Sequence, residues 1–239
     1  MQTVDTLGMD KGKLQESLTI LYLRLNGYFT SGLIVHSPSA QGNRTQVDVL
    51  GVRFPRHTQP EREVGSAVEL ECSEEEVDIV IGEVKSRGEP LQFNTALRES
   101  VETLASVLRW VGAFTDTEVH ELAEKARCAL QPDEIAKPQA PVVEGPRGMR
   151  IRGLLFSPEY NTRRGNQPWF LHGPPILNYL WRCLHPEKRR MLSATKYDFG
   201  LWGSDLEPLV RYIKGSPNPG TFDGFLEEFK KRVPGTQAQ

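Results

Sequence analysis

Glu83 and Lys85 stand two positions apart at the end of the run Val77-Asp78-Ile79-Val80-Ile81-Gly82-Glu83-Val84-Lys85. On a strand that spacing puts both side chains on one face, so a carboxylate and an ammonium group emerge side by side where an apolar stretch ends. Such a pair is costly in apolar surroundings unless something uses it. Asp48 lies upstream in a second strand-like run, Gln46-Val47-Asp48-Val49-Leu50-Gly51-Val52-Arg53-Phe54. Two carboxylates able to converge on one divalent cation, with a lysine beside them, suit metal-assisted hydrolysis of a phosphodiester. Asp78 competes for the same role, and strand geometry argues against it. Five residues before Glu83, it faces the other way and lies about 16 Å off at the usual rise. It is expected at the start of its strand, near solvent.

The elements that must hold these residues can be read from hydrophobic periodicity. Leu14, Leu18, Leu21 and Leu25 form one stripe of a helix over residues 11–26, which Asn26-Gly27 ends. A short strand follows over 28–35, then a polar turn over 36–45 and the Asp48 strand. The charged, proline-broken segment 55–66 reads as an exposed connection, and 68–72 as a short strand extension. After Lys85 a turn leads to a helix over about 93–112, striped by Leu97, Val101, Leu104, Leu108 and Val111, and a second helix over 117–130. Residues 132–146 carry four prolines and read as a surface linker. Strands are expected over 149–156 and 169–172, and helices over 176–184, 206–214 and 222–233. This order implies a mixed α/β sheet flanked by helices on both sides.

Asp48, a loop, an apolar run and then Glu83-Val84-Lys85 resemble the motif of the PD-(D/E)xK nuclease superfamily, which includes restriction-endonuclease-like and Holliday-junction-resolvase-like enzymes. The resemblance covers roughly residues 10 to 100. It implies a restriction-endonuclease-like α/β fold, with residues 1–135 as the nuclease core and 136–239 as a C-terminal, largely helical elaboration completing the same domain. It also implies a magnesium- or manganese-dependent nuclease acting on DNA, with defence or repair as the family's settings. Asp48, Glu83 and the backbone carbonyl of Val84 would bind the cation. Lys85 would position and help deprotonate the attacking water or stabilise charge on the phosphate. Glu16 corresponds to an additional acid that many members place on the first helix. Gln92 loosely matches a glutamine that some relatives carry after the lysine, but the tyrosine that often follows it is replaced here by Ala96. A catalytically silent subunit that keeps the fold and binds nucleic acid or a protein partner is the alternative. A homodimer is compatible with either.

Other residues admit two readings each. Ser86 and Arg87 follow the lysine and could touch a phosphate backbone. Arg53, Arg56, His57 and Arg62 either crowd that backbone or keep a loop soluble. Lys188, Arg189 and Arg190 could grip nucleic acid or end a helix. Tyr160, Arg163, Arg164, Trp169 and His172 mix rings and cations as a base-stacking surface would, although Trp169 also suits a core. Glycine-rich phosphate loops, a Gly-x-Ser-x-Gly elbow and His-Glu-x-x-His are absent from the sequence.

The 239 residues are 38% hydrophobic and 25% charged, an ordinary globular balance. No apolar run approaches the roughly 20 residues of a membrane span. Cys72, Cys128 and Cys183 lack metal-site spacing and read as reduced thiols of a cytoplasmic protein. A net charge of −2 argues against an indiscriminate nucleic-acid binder but permits a local basic rim around an acidic centre.

Overall fold

Asp10 starts the first helix by accepting a hydrogen bond from the Lys13 amide at 2.8 Å, the usual side-chain cap. Helix α1 runs Lys11–Leu25, and its Leu14, Leu18 and Leu21 are fully buried. Asn26 closes it: its carboxamide donates to the Tyr22 carbonyl at 2.8 Å and accepts from the Ala67 amide at 2.7 Å. The computed structural model describes residues 10–35, 45–59, 62–131, 142–162, 169–187 and 198–231, residues 230 and 231 by their backbone alone. Arg163, Arg164, Lys188, Arg189 and Arg190 lie outside the described residues.

The chain is an α/β protein built on a mixed six-stranded sheet. Strands β1 (Phe29–Val35), β2 (Thr45–Arg53) and β3 (Val77–Val84) form an antiparallel meander. Strand β5 (Met149–Ser157) then lies parallel to β3. Along its far edge run β4 (Val142–Gly145), antiparallel, and the short parallel β6 (Phe170–His172). A parallel pair needs a long crossover; here it consists of α2 (Thr95–Glu99), α3 (Val101–Val111) and α4 (Asp116–Ala129). Gly153 of β5 pairs with Ile81 and so shares its face. A Cβ on Gly153 would meet Leu130 at 2.2 Å and Phe93 at 2.8 Å. The crossover therefore covers the face bearing Ile79, Ile81 and Glu83. Helices α5 (Gly173–Leu184), α6 (Glu207–Gly215) and α7 (Phe222–Lys231) follow. Helix α5 packs on α1, with Tyr22 and Tyr179 meeting edge to face at 5.3 Å.

Three local expectations are corrected. The helix expected over 93–112 breaks at Ser100, which is extended (φ −110°, ψ 109°) and caps α3 by accepting from the Thr103 amide. Residues 68–70 form a 3-10 turn instead of a strand, because Glu71 takes a left-handed conformation (φ 45°) that ends any extended run. The segment read as a linker contains β4, whose Val143 is buried against the sheet.

Asp78 requires the fourth correction. It does face away from Glu83, but it is fully buried and nowhere near solvent. Arg152 donates from Nε at 3.0 Å, Arg150 from a terminal nitrogen at 3.0 Å and the Tyr28 hydroxyl at 2.6 Å. A buried charge is tolerated only when paired and hydrogen-bonded in this way.

Gly82 fixes how closely β2 and β3 pack just before Glu83. A Cβ there would lie 2.5 Å from Cγ1 of Val49 and 3.0 Å from the Phe156 ring. Val49 has little rotameric freedom with which to yield. Gly82→Ala should cost about 1–3 kcal/mol by overpacking, measured as a lower midpoint in urea with an unchanged slope. Among the described residues no helix is long and apolar enough to cross a membrane.

Candidate functional site

The register of β2 and β3 pairs Val49 with Gly82. Asp48 and Glu83 are the next residues beyond that last pair, and continuing the register sets the two carboxylates on one side of neighbouring strands. Each is held from the backbone. The Val84 amide donates to Asp48 Oδ2 at 2.8 Å, and the Asn94 amide donates to Glu83 Oε2 at 2.7 Å. The Lys85 ammonium sits 2.6 Å from Glu83 Oε1. Lys85 itself is pinned through its main chain: its amide donates to the Phe156 carbonyl at 2.8 Å and its carbonyl accepts from the Ser157 hydroxyl. Strand β5 thus clamps the end of β3 from which the lysine projects.

The electrostatics are those of acids crowded together away from water. Burial pushes the Glu83 carboxyl up from its ordinary range; the Lys85 and Asn94 bonds oppose that shift and the Asp48 charge adds to it. Burial also raises Asp48, against the Val84 hydrogen bond and Lys85. Glu16 on α1 is raised by burial and then by Asp48, which places it within electrostatic reach of the pair. Three acids that each hold a proton more tightly than usual favour any added positive charge among them.

Asp48, Glu83, Lys85 and Glu16 are therefore brought to one region. Val84 lies between the two acids, with its amide committed to Asp48. Ser86 accepts from the Gln15 carboxamide at 2.8 Å. Arg87 is tied down on the far side of the loop: its amide donates to the Glu159 carboxylate at 2.8 Å and its guanidinium to the Glu159 carbonyl at 3.1 Å. Arg53 is buried, donating to the carbonyls of Asn26 and Ser73, and so is not part of a phosphate-facing rim. Trp169 and Tyr160 are core residues, not a stacking platform. His172 is half-buried at the end of β6.

Two contributors were not anticipated. Asn94 caps α2 by accepting from the Leu97 amide at 3.0 Å while its own amide holds Glu83. An asparagine just ahead of Thr-Ala-Leu is a cap signal, hidden by the expectation of a helix already under way. Gln15, 1% exposed on a leucine-rich helix, is the other. Its Oε1 is buried without a partner beside the Ser86 contact.

Carboxylate oxygens are hard donors of the kind magnesium and manganese take, and the acids gain by an added cation. Among the described residues no three His, Cys, Asp or Glu side chains are gathered to hold a metal by themselves. A cation held by two carboxylates would retain several waters, as magnesium commonly does. Comparison with family models, curated proteins and solved structures returns no match to this chain.

The raised carboxyls carry a stability consequence. A carboxyl whose folded-state pKa exceeds its unfolded value binds more protons when folded, so stability falls as pH rises from the unfolded value through the folded one. Asp48→Asn removes one such group and its repulsion of Glu83, while its carboxamide oxygen can still accept from Val84. Without divalent cation, the variant should melt higher than the wild type at pH 8 and show a smaller difference at pH 4. Equal melting curves at both values would contradict the assigned burial cost.

Proposed function

We propose that the chain is a magnesium-dependent nuclease of the restriction-endonuclease-like kind, hydrolysing phosphodiester bonds in DNA. The observation that carries this reading is Asp48 held by the Val84 amide at the end of β3, next to Glu83, with Lys85 bonded to the latter. In support stands the order of elements: one helix, an antiparallel three-strand meander, then a helical crossover to a strand parallel with the third. Its first five elements, helix, strand, Asp48 strand, Glu83 strand and helix, come in the order the motif resemblance implies.

Asp48 and Glu83 would hold the cation, together with the Val84 carbonyl. The metal, when bound, supplies charge neutralisation at the phosphate and a more acidic water. Lys85 is positioned to orient that water or to meet negative charge developing on the phosphate oxygens. Glu16, raised in pKa and facing the same region, can accept a proton or hydrogen-bond a water. Asn94 keeps the Glu83 carboxylate aimed.

The test is incubation of purified protein with single-stranded, duplex and branched DNA at about neutral pH, with magnesium, with manganese and with chelator. Cleavage that requires the cation is expected. One observation favours a second reading, a silent subunit that binds nucleic acid or a protein: both Glu83 oxygens are already satisfied, by Lys85 and Asn94. Absence of cleavage of any DNA or RNA under either metal would move the assignment there.

A further inference from the structure

Gln15 is 1% exposed on α1, and its Oε1 is buried with no partner among the described residues. An acceptor left unsatisfied in the interior costs stability that an apolar side chain of the same length would not. Set against that cost is a single side-chain bond: Gln15 Nε2 donates to Ser86 Oγ at 2.8 Å.

Ser86 stands directly after Lys85, where β3 gives way to the turn over 86–89. Its main chain is engaged on both sides. The amide donates to Glu89 Oε2 at 3.1 Å, and the carbonyl accepts from the Glu89 amide at 3.1 Å. Its side chain is engaged on one side only. The hydroxyl accepts from Gln15 and donates to no group among the described residues. A serine hydroxyl carries one proton and two lone pairs. With the carboxamide on one lone pair from the buried side, the proton turns away from α1, toward the open side of this half-buried serine. The next residue on the helix, Glu16, is the acid that feels the Asp48 charge. Two consecutive residues of α1 thus reach the turn after the lysine and the carboxylate site.

We propose that Gln15 is a positioning residue: it sets the Ser86 hydroxyl as an outward donor to a phosphate oxygen of bound DNA, one residue along from Lys85. A hydroxyl donating to a charged phosphate makes a strong hydrogen bond, and one that fixes register without reading sequence. Glu89, the acid of the same turn, has its carboxylate on the Ser86 amide. That this phosphate lies at the cleavage site rests on the nuclease reading; the orientation of the donor does not.

The test measures anisotropy of a short fluorescein-labelled DNA duplex at low salt with chelator present, and KM and kcat with magnesium where cleavage occurs. Ser86→Ala should weaken binding about tenfold and raise KM alike with kcat unchanged, as loss of uniform binding does. Ser86→Thr keeps the hydroxyl and should bind like the wild type. Gln15→Met should weaken binding about threefold, since the hydroxyl remains but is free to turn. It should also melt higher than the wild type, because the buried orphan oxygen is gone. In the Ser86→Ala background, Gln15→Met should change binding no further. A purely structural glutamine would lose stability together with binding, and that result overturns the proposal. So does Ser86→Ala binding like the wild type, whether or not the Gln15 variant folds. A Gln15→Met effect that persists without the hydroxyl, or a wild type that does not bind at low salt, overturns it as well. Binding that depends on both residues in a protein that never cleaves would uphold the donor and remove the nuclease. A cleaving wild type whose KM ignores both residues would do the reverse.

Discussion

Glu83→Ala is expected to take metal-dependent DNA cleavage below detection while leaving the sheet intact. The change removes a carboxylate that would hold the cation, and it also strips Lys85 of the partner that holds its ammonium at 2.6 Å. Glu83→Gln keeps the length of the side chain and removes its charge. Its single carboxamide oxygen can accept from the Lys85 ammonium or from the Asn94 amide, but the NH2 group at the other position can accept from neither. Both variants should be inactive if charge at Glu83 is what binds the cation. Lys85→Ala should cost about 10²-fold or more, the scale of a positioned proton-transfer or charge-stabilising group. Single-turnover cleavage at saturating magnesium provides the measurement. Glu83→Gln with near wild-type turnover would remove Glu83 from the metal site.

The second large effect lies on the other face of the sheet and concerns stability alone. Asp78→Ala leaves Arg152, 2% exposed, with its charge buried and its partner gone. Breaking one side of a buried pair costs about 3–5 kcal/mol, which for a chain of this size lowers the melting temperature by about 10 °C. Arg150 should suffer less, because it is 13% exposed and can turn toward Glu76. The pairing is tested by the double change Asp78→Leu with Arg152→Met. It should recover most of the loss, since well-packed apolar groups often replace a buried ion pair without penalty. A double variant no more stable than Asp78→Ala would mean that the surrounding groups, not the charge imbalance, set the cost.

These two regions differ in how far the sequence discloses them. The Asp48–Glu83–Lys85 arrangement follows from alternation along two strands, and alternation is a local property that a run of nine residues displays. The leucine stripe of α1 is of the same kind. Asp78 has the same alternation signal, which correctly turned it away from Glu83 but could not say what it would meet. Its partners stand 72 and 74 residues later on β5, and its hydroxyl donor comes from Tyr28 at the mouth of β1. Nothing in Arg-Ile-Arg announces such a match. The break at Ser100 was masked for the opposite reason. The apolar spacing runs straight through it, while the capping bond that interrupts the helix depends on one hydroxyl. Arg87, read as a phosphate contact, turns out to be fastened to Glu159, a bond that only the packed loop reveals.

The placement of Arg150 and Arg152 on β5 also bears on the order in which the chain acquires its structure. Strands β1 to β3 are neighbours in sequence and can zip as a meander with little loop-closure cost, so the Asp48–Glu83 ladder is available early. Strand β5 must arrive from beyond three helices, and non-local parallel pairings of this kind are slow. Until it does, Asp78, near the start of β3, has the Tyr28 hydroxyl and its cross-strand neighbour Arg53 but lacks the two arginines of β5. Its charge discourages other strands from adding to the open side of β3, in the manner of an inward-pointing charge on an edge. It also rewards only the register that brings two arginines opposite it. The late strand is thereby selected by charge before it is sealed by packing, and its docking is what finally clamps Lys85 in place.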